Sequence, residues 1–144
     1  MHFKQIDQSP ATFMLVFETG DELASGLLQF AKEQKLPSAS FRAVGALSSV
    51  RLAWFNWETK TYDASVDLDE QVELLSLIGD VASKDDGPVV HAHAVIGKQD
   101  GTAHGGHLQR AYVRPTCEVV LVASPVKLTK TLDPESGLFL VKAR

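Results

Sequence analysis

The run Thr12-Phe13-Met14-Leu15-Val16-Phe17-Glu18 is short, apolar and β-branched, which predicts a buried strand ending at Thr19-Gly20. Thr19 followed three residues later by Glu22 is a capping-box pattern. Leu23, Leu27, Phe30 and Ala31 then repeat at helical spacing until Lys35-Leu36-Pro37. One helix is expected here, its apolar stripe packed on a sheet. From Ser38 to Val44 the period changes to two, and Gly45-Ala46-Leu47-Ser48-Ser49 reads as a tight connection. Val50 to Trp57 and Lys60 to Val66 predict two further strands separated by Glu58-Thr59. Residues 70–80 fit helix or strand by periodicity, and the short length and Gly79 favour a strand.

Ala82 to Pro88 is polar and predicts a loop, after which Val89 to Ile96 returns to strand character before the turn Lys98-Gln99-Asp100-Gly101. Cys117 to Ala123 and Leu138 to Val141 complete the pattern, with a turn at Asp133 to Gly137. One main helix among about eight strands implies an α+β fold, a mostly antiparallel sheet packed against that helix. At 144 residues, without internal repeat or linker, the chain is expected to form a single domain over 1–144.

Composition narrows the class. Hydrophobic residues at 44% and charged residues at 22% exclude collagenous, coiled-coil and disordered chains. No apolar run approaches the roughly 18–20 residues of a membrane span. The start lacks a basic region followed by an apolar stretch, so a cytoplasmic address without membrane attachment is expected. Lone Cys117, inside an apolar run, is expected in the core. The net charge of −4 is uneven: residues 1–104 carry eight basic and fifteen acidic groups, and residues 105–144 six and three. Arg110, Arg114, Lys127, Lys130, Lys142 and Arg144 could form a local basic surface or an ordinary solvated face.

Four of the five histidines, His91, His93, His104 and His107, fall within seventeen residues. In a strand, residues two apart share a face, so His91 and His93 can aim at one point. A hairpin through Asp100-Gly101 would bring His107 alongside, with Gly105-Gly106 permitting close chain approach. Three neutral imidazoles suit Zn²⁺ or another borderline divalent ion and leave a fourth position open. The competing reading is of hydrogen-bonded polar residues in a sheet or subunit contact. His104 is expected in solvent, and His2 is simply near the terminus. The sequence lacks a G-x-G-x-x-G fingerprint, a phosphate-binding loop and a nucleophile elbow, so cofactor-dependent redox chemistry and nucleotide hydrolysis have no direct support.

Val44-Gly45-Ala46-Leu47-Ser48-Ser49-Val50-Arg51-Leu52, Glu73 to Asp80, His91-Ala92-His93, Gly105-Gly106-His107-Leu108 and Glu118-Val119-Val120 together resemble the plant and prokaryote conserved (PPC) domain, from about Pro10 to Lys142. The resemblance implies an antiparallel sheet packed on a helix, a strand at 70–80, a homotrimer, and a metal site at His91, His93 and His107. Prokaryotic relatives are commonly described as DNA-binding by analogy with plant proteins that add an AT-hook, and no such basic arm occurs here. Glu118 falls at an acidic family position, a candidate either to orient a histidine or to join a subunit ion pair. Arg42, Asp80 and Arg110 are weaker polar-site candidates.

The resulting expectation is a trimeric DNA-associated or regulatory module with a three-histidine metal or small-ligand site. The alternative is a metal-dependent hydrolase or lyase using the same histidines, with Glu118 or Asp80 carrying a proton. It ranks second because the sequence supplies ligands without a clear general base. Direct DNA binding is expected to be weak or partner-dependent, since the net charge is negative and no basic, aromatic-rich stretch or base-reading helix is evident. Exposed sheet edges and Trp54, Phe55 and Trp57 would be covered by symmetric subunits.

Overall fold

In the computed structural model, which describes residues 1–85 and 87–142, alternating burial places most of the chain in strands. The elements are β1 (His2–Gln8), β2 (Ala11–Glu18), α1 (Leu23–Glu33), β3 (Ser38–Asn56), β4 (Thr61–Leu68), β5 (Val72–Lys84), β6 (Gly87–Gly97), β7 (Ala103–Ser124), β8 (Lys130–Leu132) and β9 (Phe139–Val141). The first seven strands follow the spatial order β1-β2-β7-β6-β5-β3-β4, every pairing antiparallel. Because β7 also pairs with β3, strands β3, β5, β6 and β7 form a closed ring of hydrogen-bonded neighbours. β8 and β9 make a separate pair.

The helix buries the stripe read from its spacing: Leu23, Leu27, Phe30 and Ala31 are all in the core. Fully burying Leu23, Leu27 and Phe30 contributes roughly 1.5–3 kcal/mol each. Its start differs from the capping-box expectation. Glu22 itself is the N-cap, its carboxylate accepting from the backbone N–H groups of Ala24 at 3.2 Å and Ser25 at 2.7 Å, and also from Ala111 at 3.0 Å. Thr19 lies in the preceding turn. The bond to Ala111 ties the helix start to β7, a tertiary tie that a local capping pattern cannot encode.

Two strands run longer than expected. Gly45 to Ser49 is no tight connection but the middle of β3, where register shifts against β5 and β7 absorb the irregular spacing. Likewise β7 is continuous from Ala103 to Ser124, changing partners along its length from β6 to β3 and β2. Ala82 to Lys84 belongs to β5, and Asp86 of the expected loop lies outside the described residues. β1 and β8 add strands that hydropathy did not predict. β1 is exposed along its whole length and therefore carries no inward alternation.

The core joins α1 to the inward residues of the sheet, including Leu15, Phe17, Leu47, Leu77, Ile96 and Leu121. Cys117 is fully buried among them, as expected. Along β6, Ala92, Ala94 and Ile96 point into this core, so the residues between them point out.

Candidate metal centre

That alternation sets the site. His91 and His93 leave β6 on the outward face, between inward Ala92 and Ala94. The chain then reverses at Lys98 to Thr102: Lys98 N–H donates to the Thr102 carbonyl at 2.9 Å, Gly101 N–H to the Lys98 carbonyl at 3.0 Å, and Asp100 Oδ1 accepts from Thr102 N–H at 2.9 Å. Gly101 has φ +82°, the left-handed conformation this turn requires. The hairpin emerges with His107 directly across from His93, and Gly106 across from Ala94. A Cβ on Gly106 would stand 2.9 Å from the Ala53 carbonyl oxygen, so the glycine permits β7 to approach β3 beside the site.

Ring centroids of His91, His93 and His107 are separated by 5.1, 5.3 and 5.5 Å. One ring nitrogen from each lies within 4.8 Å of the others. Nitrogens around a tetrahedral zinc at about 2.0–2.1 Å stand about 3.3 Å apart, so modest ring rotation would close the group on an ion. Tyr62 of β4 stacks on His107 with centroids 4.3 Å apart and planes at 24°, fixing one wall.

The electrostatics favour the neutral form of His93 and His107. Burial lowers the His107 pKa to about 4, with the charges of His91, His93 and Lys130 acting in the same direction. His93 is also lowered, first by burial and then by His91. His107 Nδ1 is a buried nitrogen with no hydrogen-bond partner. Three imidazoles grouped this closely, one with an orphaned buried nitrogen, could hold a borderline divalent cation.

Asp80 completes the first circle of polar groups. Its Oδ2 is 3.4 Å from His91 Nδ1 and its Oδ1 is 3.4 Å from Lys130 Nζ. Its pKa is lowered, chiefly by the contact with His91, while burial pulls the other way and Lys130 assists. His91 and His107 also line an open cavity of about 490 Å³, shared with Tyr62, Asp80, Lys84 and Lys130.

The remaining candidates lie elsewhere. His104 is exposed and stands opposite Ile96, on the reverse parity of β7 from His107. Glu118 is exposed across from Val16 and Val44, so the carboxylate beside the histidines is Asp80 instead. Arg42 is exposed opposite Ile78 and Val120, and Arg110 opposite Arg51, 5.9 Å from the Tyr112 ring. Lys130 turns into the cavity and so leaves the basic surface drawn from sequence, while Arg144 lies outside the described residues. Tyr62 and Lys130 were not identified from sequence as parts of the site. Both arrive through long-range pairing, and no local motif marks them.

The profile of the Plants and Prokaryotes Conserved (PCC) domain matches residues 5–125. Among solved structures, a candidate DNA-binding protein from Bacteroides thetaiotaomicron is similar at 28% identity and TM-score 0.91, the match covering 98% of this chain and 96% of that one. A metal-containing protein from Archaeoglobus fulgidus is 32% identical with TM-score 0.85, over 98% and 96% of the two chains. A plant- and prokaryote-conserved protein from Pyrococcus horikoshii is 29% identical with TM-score 0.86, over 99% and 96%. No functionally curated protein matches the chain.

Proposed function

This chain belongs to the Plants and Prokaryotes Conserved domain family, and from that membership we propose a homotrimeric, DNA-associated regulatory module that holds one divalent cation per chain at His91, His93 and His107. The observation that carries the metal reading is the grouping of three ring nitrogens within 4.8 Å on one sheet face. Zn²⁺ suits this donor set because imidazole is a borderline ligand and three of them leave a position open. The similar Archaeoglobus fulgidus protein, described as metal-containing, supports the reading. A bound ion would supply Lewis acidity at its open position. Asp80 orients His91 through Nδ1, and Tyr62 holds the plane of His107 by stacking.

The trimer is supported by apolar side chains on the outward face of the sheet. Ile78 is 61% exposed, and Val44, Val95 and Trp54 are exposed as well. Such groups are better covered by a second copy than left in water. The association with DNA is supported by the similarity to the Bacteroides protein, and the net charge of −4 per chain favours specific duplex contact through a partner.

The cavity beside His91 and His107 favours a second reading, a metal-dependent hydrolase or lyase. It ranks below the binding module because contact with His91 lowers the pKa of Asp80, the carboxylate in the cavity wall, and makes it a poor proton acceptor. Elemental analysis of protein purified without chelator or nickel resin tests the metal reading. About one divalent ion per chain is expected, and protein that neither carries nor takes up an ion would overturn it.

A further inference from the structure

The cavity that His91 and His107 line has two other walls of different chemistry. One is basic. Lys130, its side chain only 10% exposed, contacts Asp80 Oδ1 at 3.4 Å, long for a hydrogen bond, and Oδ1 has no hydrogen-bond partner. An ammonium group has three donors, so this loose pairing leaves capacity for another acceptor. Lys84 adds a second positive charge at the rim, its Nζ 3.6 Å from the centre of the Phe139 ring. The other wall is apolar, formed by Leu138, Phe139 and Leu140 where the β8–β9 pair folds over the end of β5.

Two lysines face one carboxylate in this lining, and a cation on the histidines would make the cavity more positive still. A dianion such as phosphate would suffer from Asp80 alongside and leave the apolar wall uncovered. A monoanion with a short apolar body satisfies both walls, and about 490 Å³ accommodates it easily. We infer that this cavity binds a small carboxylate with a short apolar body, its head taken by Lys130 beside the three histidines and its body against Leu138, Phe139 and Leu140. The inference deepens the metal reading above and rests on it for part of the positive charge.

The test is calorimetric titration of the full chain, loaded with one equivalent of Zn²⁺, using isovalerate, its uncharged isostere isovaleramide, acetate and inorganic phosphate. Isovalerate is expected to bind at least about tenfold more tightly than each of the other three, a factor worth about 1.4 kcal/mol. Lys130→Met should lower isovalerate affinity about tenfold, compared per zinc-loaded chain, and Lys84→Met, whose ammonium lies over the Phe139 ring, should lower it less. Equal affinity for isovalerate and isovaleramide, preference for phosphate, or full affinity in Lys130→Met would each overturn the inference. Zinc uptake without isovalerate binding overturns this inference alone. Isovalerate binding that depends on Lys130 in a chain that takes up no zinc supports the carboxylate site and overturns the metal reading alone.

Discussion

Asp80 and His91 stand directly opposite each other in the β5–β6 ladder, and their side chains meet with Oδ2 3.4 Å from Nδ1. Cross-strand register, with no motif in either strand alone, places a carboxylate behind one candidate metal ligand. Such an acceptor fixes the imidazole's orientation and raises its basicity.

Asp80→Asn should therefore weaken zinc affinity about 10–100-fold while leaving the far-ultraviolet spectrum unchanged. Competition titration against a chromogenic chelator measures it. Unaltered affinity would remove Asp80 from the centre, and Asp80→Glu should restore part of the loss.

Gly106 and Gly105 make a matched pair for testing how closely β7 must approach β3. A Cβ at Gly106 would crowd the Ala53 carbonyl oxygen at 2.9 Å and Leu52 Cβ at 3.2 Å, whereas at Gly105 the nearest atom is the Ala94 carbonyl oxygen at 3.3 Å. Gly106→Ala is expected to cost about 1–3 kcal/mol in denaturant unfolding, in the range of overpacked sites, with Gly105→Ala costing less. The reverse order would show that the approach is not tight.

How much of this was legible in the sequence follows from how local each cause is. The alternation of β6 and the Asp100-Gly101 turn are local signals, and together they suffice to bring His91, His93 and His107 to one face. The helical stripe was equally plain. Asp80 was only a weak candidate, because its pairing with His91 depends on a β5–β6 register that shifts between Leu74 and Ser76. Glu118 ranks above Asp80 by sequence but lies on a stretch of β7 paired to β2 and β3, away from the histidines. Gly45 to Ser49 read as a turn because irregularities inside a long strand break the period-two pattern as a turn does.

Asp21 sets a pH dependence of stability. Its carboxylate accepts from Glu18 N–H at 2.9 Å and pairs with the Met1 amino group at 2.7 Å, and these contacts, the backbone bond first, lower its pKa below 3.8 against a smaller opposing effect of burial. A lowered acid pKa means the folded state favours the ionised form. The contribution is present above the unfolded pKa and is lost as pH falls through the folded one. Asp21→Asn should thus be less stable than wild type at pH 7, with the two unfolding curves converging below pH 3.8. A gap that persists into strong acid would contradict the ionic origin.

The proposed trimer and the proposed DNA association both bear on charge. Light scattering should give a mass near three chains, and three chains at −4 carry about −12, which repels phosphate at long range. The isolated protein is expected to bind duplex DNA weakly in an anisotropy titration at about 0.15 M salt. Tight, salt-sensitive binding that Arg110→Ala or Lys127→Ala weakens would contradict this, as would a monomer at micromolar concentration.

The most direct measurement of the central claim is zinc stoichiometry in wild type and in the double variant His91→Ala/His107→Ala, both freed of metal and dialysed against Zn²⁺ before elemental analysis. The three-histidine centre predicts about one ion per chain for wild type and none above background for the variant, with both proteins giving the same circular dichroism. Equal uptake by the two proteins would place the ion elsewhere and contradict the account.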